Sequence, residues 1–257
     1  MHPLSGLPQR RYIELPGYVA FVGTIILAAL CAGCRPTNRQ LFGRYQGSFA
    51  VKRIQFKNIA QVLPPPGSVN EITVADLSPK PIYDAKTKTY NTEIVMADQL
   101  LDPDIVTQGH DRFDLILGGD LLTCMQWTGP KNPMSESALD ERSADMEPRL
   151  QRVLSYLYLV VVRPANFDPP VALDEKSFKG GSADLEVFIV DLLKNKVAGS
   201  FRFSAHSASQ VHYSYKADQS QKDQLQEFAY SSLFTDARQK MGPLLEKATG
   251  GHFVLED

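Results

Sequence analysis

The sequence predicts an α+β fold, an antiparallel sheet packed by two or three helices. Two observations carry that reading. Between Leu157 and Ala205 lie three apolar runs, rich in β-branched and aromatic residues and bounded by polar turn residues, which read as neighbouring strands. Between Gln219 and Lys247, Leu225, Phe228, Ala229, Leu233, Ala237, Met241 and Leu245 recur at three- and four-residue steps, which reads as an amphipathic helix.

The three runs are Leu157–Val162, Asp184–Leu192 and Val197–Ala205, the last two joined by a turn at Lys194-Asn195-Lys196. The middle run places Leu185, Val187 and Ile189 on one face and Glu186, Phe188 and Val190 on the other. The last alternates Phe201, Phe203 and Ala205 with Arg202 and Ser204, the pattern of a sheet with one wet face. Short strands are expected at Glu71–Val74 and from Asn91 to Ala97. A helix is expected from Glu136 to about Ser155, with Ser135 as N-cap and a break or restart at Pro148. Gly242-Pro243 is expected to end or kink the long helix. Residues 41–63 satisfy strand alternation early and helix spacing later, and stay open between the two. Pro64-Pro65-Pro66-Gly67 is a stiff connector. Gly118-Gly119 reads as a bulge, or as the end of a strand where another element begins.

The N-terminus has a different character. Arg10 and Arg11 precede an uncharged run from Tyr18 to Gly33. A basic start, a short apolar stretch and small residues at its end make an export signal. The stretch is 16 residues long, below the ~20 that span a bilayer upright. Its end, Ala29-Leu30-Cys31-Ala32-Gly33-Cys34, resembles the lipobox of bacterial lipoprotein precursors, with Cys31 where that family usually has Leu. The resemblance covers about the first 35 residues. It implies cleavage before Cys34, a diacylated Cys34 as the mature N-terminus, and a membrane partner reached through the lipid. Arg35, in place of the Asp that usually retains such proteins at the inner membrane, points to the outer membrane facing the periplasm. The chain then divides into a signal peptide (1–33), a lipidated tether (34–40) and a single α+β domain (41–257). An uncleaved single span and a cleaved signal with a soluble product are the alternatives, and all three export the body of the chain. Cys31-Ala32-Gly33-Cys34 also has the C-x-x-C spacing, but no βαβ pattern surrounds it.

Chemical motifs are sparse. With 27 basic and 29 acidic residues the net charge is −2, so no nucleic-acid footprint is expected. No zinc-binding spacing and no nucleotide-binding glycine loop follows any strand, so neither metal nor cofactor is expected. His206 and His212, with Ser204, Ser207 and Ser209 nearby, are the only arrangement suggesting nucleophilic chemistry, and no G-x-S-x-G elbow supports them. Cys124 among apolar neighbours reads as a buried inert thiol. The 21 residues from Arg163 to Ala183 read as a long loop, in which Phe167, Phe178 and Lys179 are candidates for contacting a partner. The function expected is that of a lipid-anchored cell-envelope protein with a non-enzymatic binding or scaffolding role, with another envelope protein as its candidate partner. An exported hydrolase near His206 and a small-ligand-binding lipoprotein are the alternatives.

Overall fold

The computed structural model describes residues 35–103, 113, 115, 119–210 and 220–255. Cys34, His110 and His212 therefore lie outside the described residues. The chain runs α1 (Asn38–Val62), β1 (Ile82–Asp84), β2 (Thr89–Tyr90), β3 (Thr92–Met96), a 3₁₀ turn (Asp98–Leu100), α2 (Asp120–Trp127), α3 (Glu136–Asp140), α4 (Met146–Leu154), β4 (Tyr158–Asp168), β5 (Val171–Ala172), β6 (Phe178–Lys179), β7 (Ser182–Asp191), β8 (Lys196–His206), α5 (Gln221–Thr249) and β9 (His252–Val254). The fold is α+β.

The central sheet has the order β3-β4-β7-β8. The predicted trio β4, β7 and β8 is antiparallel throughout, and β3 adds a parallel edge strand beside β4. Helices cover both faces. Val160, Val162, Leu185, Val187, Ile189 and Phe201 pack against Leu233, Ala237, Met241 and Leu245 of α5. On the opposite face Leu159, Val161, Phe188 and Val190 pack against Phe49, Phe56 and Ile59 of α1, Leu121 and Met125 of α2, and Leu150 and Val153 of α4. The expectation of one wet face is thus corrected for the middle of the sheet. Strands covered on both sides read as unbroken apolar runs rather than alternation. It survives on the edge strand β8, where Arg202 and Ser204 are exposed.

Local chemistry fixes the element ends. Thr37 and Gln40 form a reciprocal capping box at the start of α1, and Pro64 follows its last turn. Asn38–Gln40, placed by expectation in the tether, is already helical. The ambiguity over 41–63 resolves as one 25-residue helix, whose buried stripe includes Leu41, Phe42, Phe49, Phe56 and Ile59. Of the expected end or kink at Gly242-Pro243, the end does not occur. α5 runs through Pro243 to Thr249, because Met241 on one side of the proline and Leu245 on the other are both buried in the same core. It ends where Gly250 turns left-handed, at φ +65°.

The expected 21-residue loop is largely strand. β4 continues to Asp168 and pairs with β7 from Ser182. The register slips between Pro164 and Asn166, a bulge that accommodates a proline which, read alone, marks a strand end. The remaining connection folds into the β5–β6 hairpin. Gln226 of α5 pins it, accepting from the Ala172 N–H at 2.7 Å and donating to the Pro170 carbonyl at 2.5 Å. A small second sheet, β2-β1-β9, closes one end of the molecule.

Candidate functional site

At that end the β1–β2 hairpin, the start of β3, the start of α2 and the exposed side of α4 enclose a cleft of about 350 Å³. Tyr83, Lys88, Tyr90, Glu93, Asp120, Arg149, Arg152 and Tyr156 line it. The hairpin register sets Tyr83 opposite Tyr90, with ring centroids 5.0 Å apart. Lys88 takes a positive φ of 56° in the turn between them.

Glu93 lies at the bottom. Its register partner on β4 is Leu159, so its side chain leaves the sheet on the α1–α4 side, where it is buried. α2 begins at Gly119, which has no side chain to cap the helix, and Glu93 fills that role. Its Oε2 accepts from the Leu121 N–H at 3.0 Å and its Oε1 from the Ile94 N–H at 3.3 Å. Burial drives the Glu93 pKa up to about 8, and the Asp120 charge adds to it. The two N–H donors and the positive charge of Arg149 pull the other way and are outweighed. Glu93 is accordingly protonated at neutral pH.

The neighbouring carboxyl has the opposite surroundings. Asp120, the first residue of α2, is held by Arg149 and by Arg152, whose Nη2 lies 2.6 Å from Oδ2. Arg149 stacks on the Trp127 ring, 4.7 Å from the centroid, and its Nε is buried with no hydrogen-bond partner. Burial raises the phenol pKa of both Tyr83 and Tyr156, so both keep their hydrogens for donation. The cleft therefore presents three cations, one ionised carboxylate, one neutral carboxyl and phenol hydroxyls. Its balance is positive in a chain whose net charge is negative.

Cys124, one turn into α2, is buried with its thiol pushed up to about 12 by burial, an inert group. Nothing in the sequence analysis selected the cleft residues. The available signals were an acid inside the otherwise uncharged run Thr92–Met96 and the Gly-Gly pair directly before Asp120.

The sequence-selected residues lie elsewhere. Phe167 is half-buried on β4 with its ring 5.8 Å from that of Phe113, against the α5-side core. Phe178, also half-buried, sits on β6, and Lys179 pairs with Asp168 at 2.9 Å. His206 ends β8 beside Ser207, Ser232, Asp236 and Lys240 in a hollow of about 560 Å³. Asp236 there accepts the backbone N–H of His206 at 2.8 Å and Lys240 Nζ at 2.7 Å. Ser207 Oγ accepts from the Gly181 N–H, and Ser232 Oγ from the Ala208 N–H. The acid and both hydroxyls thus tie down the local backbone. A nucleophilic triad needs a base coupled to the hydroxyl and oriented by the acid, and among the described residues, which exclude His212, this arrangement supplies neither link. Among the described residues no group of three or more His, Cys, Asp or Glu side chains is placed to hold a metal ion. No helix among them is long and apolar enough to cross a membrane.

No protein-family model, no curated protein and no solved structure matches the chain.

Proposed function

We propose that this chain is an exported, lipid-anchored protein of the bacterial cell envelope whose body binds a small anionic ligand in the Glu93–Asp120–Arg149 cleft, without chemistry. The observation that carries the binding reading is the excess of cations in a polar cleft. Lys88, Arg149 and Arg152 face a single ionised carboxylate, while Glu93 is neutral. Tyrosine hydroxyls add neutral donors for a ligand carrying oxyanion or carboxylate groups. The anchoring reading rests on the run ending in Ala32-Gly33-Cys34. In this reading residues 1–33 are removed, Cys34 carries the lipid, and the body faces the periplasm from the outer membrane.

Two measurements test the two halves separately. Sulfate and succinate, which stay fully ionised from pH 6.5 to 9, are expected to raise the melting temperature of the full chain saturably. Arg152→Gln is expected to remove most of that shift, and equal shifts in both proteins would refute the site. For the anchor, Cys34→Ala is expected to abolish labelling by a fatty-acid analogue, and unchanged labelling sinks that half.

One observation favours a second reading, that of an exported enzyme. A carboxyl protonated near pH 8 beside an ionised one is the division of labour that general acid–base chemistry uses. In that reading Glu93 is the acid, and the chemistry belongs to this cleft rather than to His206.

A further inference from the structure

Three exposed aliphatic side chains of α1, Val51, Ile54 and Val62, are 66%, 60% and 51% accessible on the face turned away from the core. Gln55 carries that surface onward. It lies on the same side of the helix as Val51 and Val62, and its Nε2 donates to the Leu192 carbonyl at 2.5 Å and to Asn195 Oδ1 at 2.8 Å. The β7–β8 turn is thereby fixed beside the helix, and its Leu193, 79% accessible, extends the apolar surface. Lys57 and Lys196, both exposed, flank the surface on its two sides. α1 itself contains Arg39, Arg44, Lys52, Arg53 and Lys57 and no acidic residue. The acids that neutralise part of this charge, Glu136, Asp140 and Glu147, belong to α3 and α4 and pair with Arg39 and Arg44 near the N-terminal end. In the C-terminal half Lys57 is exposed.

The position of α1 in the chain supplies the occupant. The apolar run Tyr18–Gly33 ends five positions before Asn38. Five residues span at most about 18 Å. A lipid on Cys34, the residue after that run, keeps the start of α1 within that distance of the surface. α1 is about 37 Å long, and Ile54 sits about 24 Å along it from Asn38. Only a helix lying along the membrane brings Ile54, Val62 and Leu193 to the surface together.

The geometry points to the outer face of α1, with Leu193, as a docking surface for anionic lipid: Val51, Ile54, Val62 and Leu193 enter the acyl boundary while Lys57 and Lys196 meet the headgroups. This is the arrangement of an interfacial helix, which binds by buried apolar area together with attraction to anionic lipid. It fixes the orientation of the body on the membrane. It draws on the anchoring reading only for proximity, and it is independent of the ligand cleft.

The test uses the full chain with vesicles of phosphatidylcholine and phosphatidylglycerol carrying brominated acyl chains. Ile54→Trp adds a reporter to the exposed face. Leu173→Trp, at a site 61% accessible on the β5–β6 connection, is the control, and the parent chain gives the Trp127 background. The expected result is bromine quenching of the Ile54→Trp emission and none for Leu173→Trp. Partition is expected to weaken about fivefold per charge in Lys57→Gln with Lys196→Gln. Vesicle-bound protein with Ile54→Trp unquenched, equal quenching of both reporters, or failure to bind vesicles overturns the proposal. Concentration-dependent dimerisation abolished by Ile54→Asp, without lipid quenching, assigns the face to a second copy and also overturns it. Ile54→Trp carrying Cys34→Ala separates the two claims: quenching that persists at higher lipid concentration upholds docking even where labelling has refuted the anchor.

Discussion

Two glutamates are buried on the same face of the central sheet, and their surroundings are opposite. Glu186 on β7 is paired across the strands with Arg163, whose Nε and Nη2 donate to its Oε2 at 3.0 and 2.8 Å, while the Val69 N–H reaches its Oε1. Arg163 is itself held over the Phe188 ring, 4.8 Å from its centroid. Burial acts to raise the Glu186 pKa, but Arg163 and the backbone donors outweigh it and hold the carboxyl below its usual range. Glu93 on β3 has two backbone donors and, among the described residues, no direct cation, because Arg149 and Arg152 are turned to Asp120. Its carboxyl stays neutral up to about pH 8. An ion pair closed on itself locks strands together. A neutral acid beside an Arg-clamped partner, lining a cleft, leaves that cleft with more cations than ionised carboxylates, which is the basis of the proposed anion binding. The difference between the two buried acids is the presence of a dedicated cation.

The largest expected effect is on the structural side. Arg163→Ala strands a buried carboxylate and is expected to cost about 3–5 kcal/mol in denaturant unfolding at pH 7, with part of the loss recovered at low pH as Glu186 becomes protonated. A loss under about 1 kcal/mol would mean that the two glutamates do not differ as described. Ile189→Ala, an apolar deletion in the neighbouring core, calibrates the scale at roughly 2–5 kcal/mol.

The pH dependences should have opposite signs. A carboxyl whose folded pKa is raised binds its proton more tightly in the native state than in the unfolded chain. Native Glu93 is therefore at no disadvantage below about pH 4.5, and stability falls as the pH rises towards about 8. Glu186, with its pKa lowered, contributes stability above the ordinary carboxylate range that is lost as the pH falls through its folded value. Glu93→Gln keeps an acceptor for the Leu121 N–H while removing the titration. It is expected to flatten the slope between pH 4.5 and 8 and to be more stable than the parent at pH 8 by about 1–3 kcal/mol. An unchanged slope would place Glu93 in the same class as Glu186.

The smallest effects concern the aromatics that the sequence brought forward. Phe167→Ala, losing the contact with Phe113 at the core edge, is expected to lower stability by about 1–3 kcal/mol, and Phe178→Ala on the β5–β6 hairpin by less. Both are expected to leave sulfate binding unchanged, and loss of binding in either would move the functional surface away from the cleft.

What could be read from the sequence follows the strength of local periodicity. β7, β8 and the stripe of α5 were legible because their side-chain spacing has one interpretation. α1 was not, because Phe49, Val51, Ile54 and Phe56 fit two periods, and only the packing of Phe49 and Phe56 under the sheet selects the helix. From sequence the strand reads as ending at Val162 because the bulge that lets β4 continue past Pro164 depends on its partner β7. The cleft was hidden for a related reason. Glu93, Asp120, Arg149 and Tyr83 come from four separate elements, and none stands in a motif. The buried state of Glu93 is a property of α2 sitting over it, which the five residues of β3 do not encode.

The most direct measurement is the titration of Glu93 itself. Carbon-13 NMR of the full chain labelled at glutamate carboxyls, with Glu93→Gln to assign the resonance, gives its midpoint with and without saturating sulfate. The account predicts a midpoint near 8 that moves upward when sulfate is bound, because an anion in the cleft and a neutral Glu93 favour one another. A midpoint in the ordinary carboxylate range, or one that sulfate leaves in place, would contradict it.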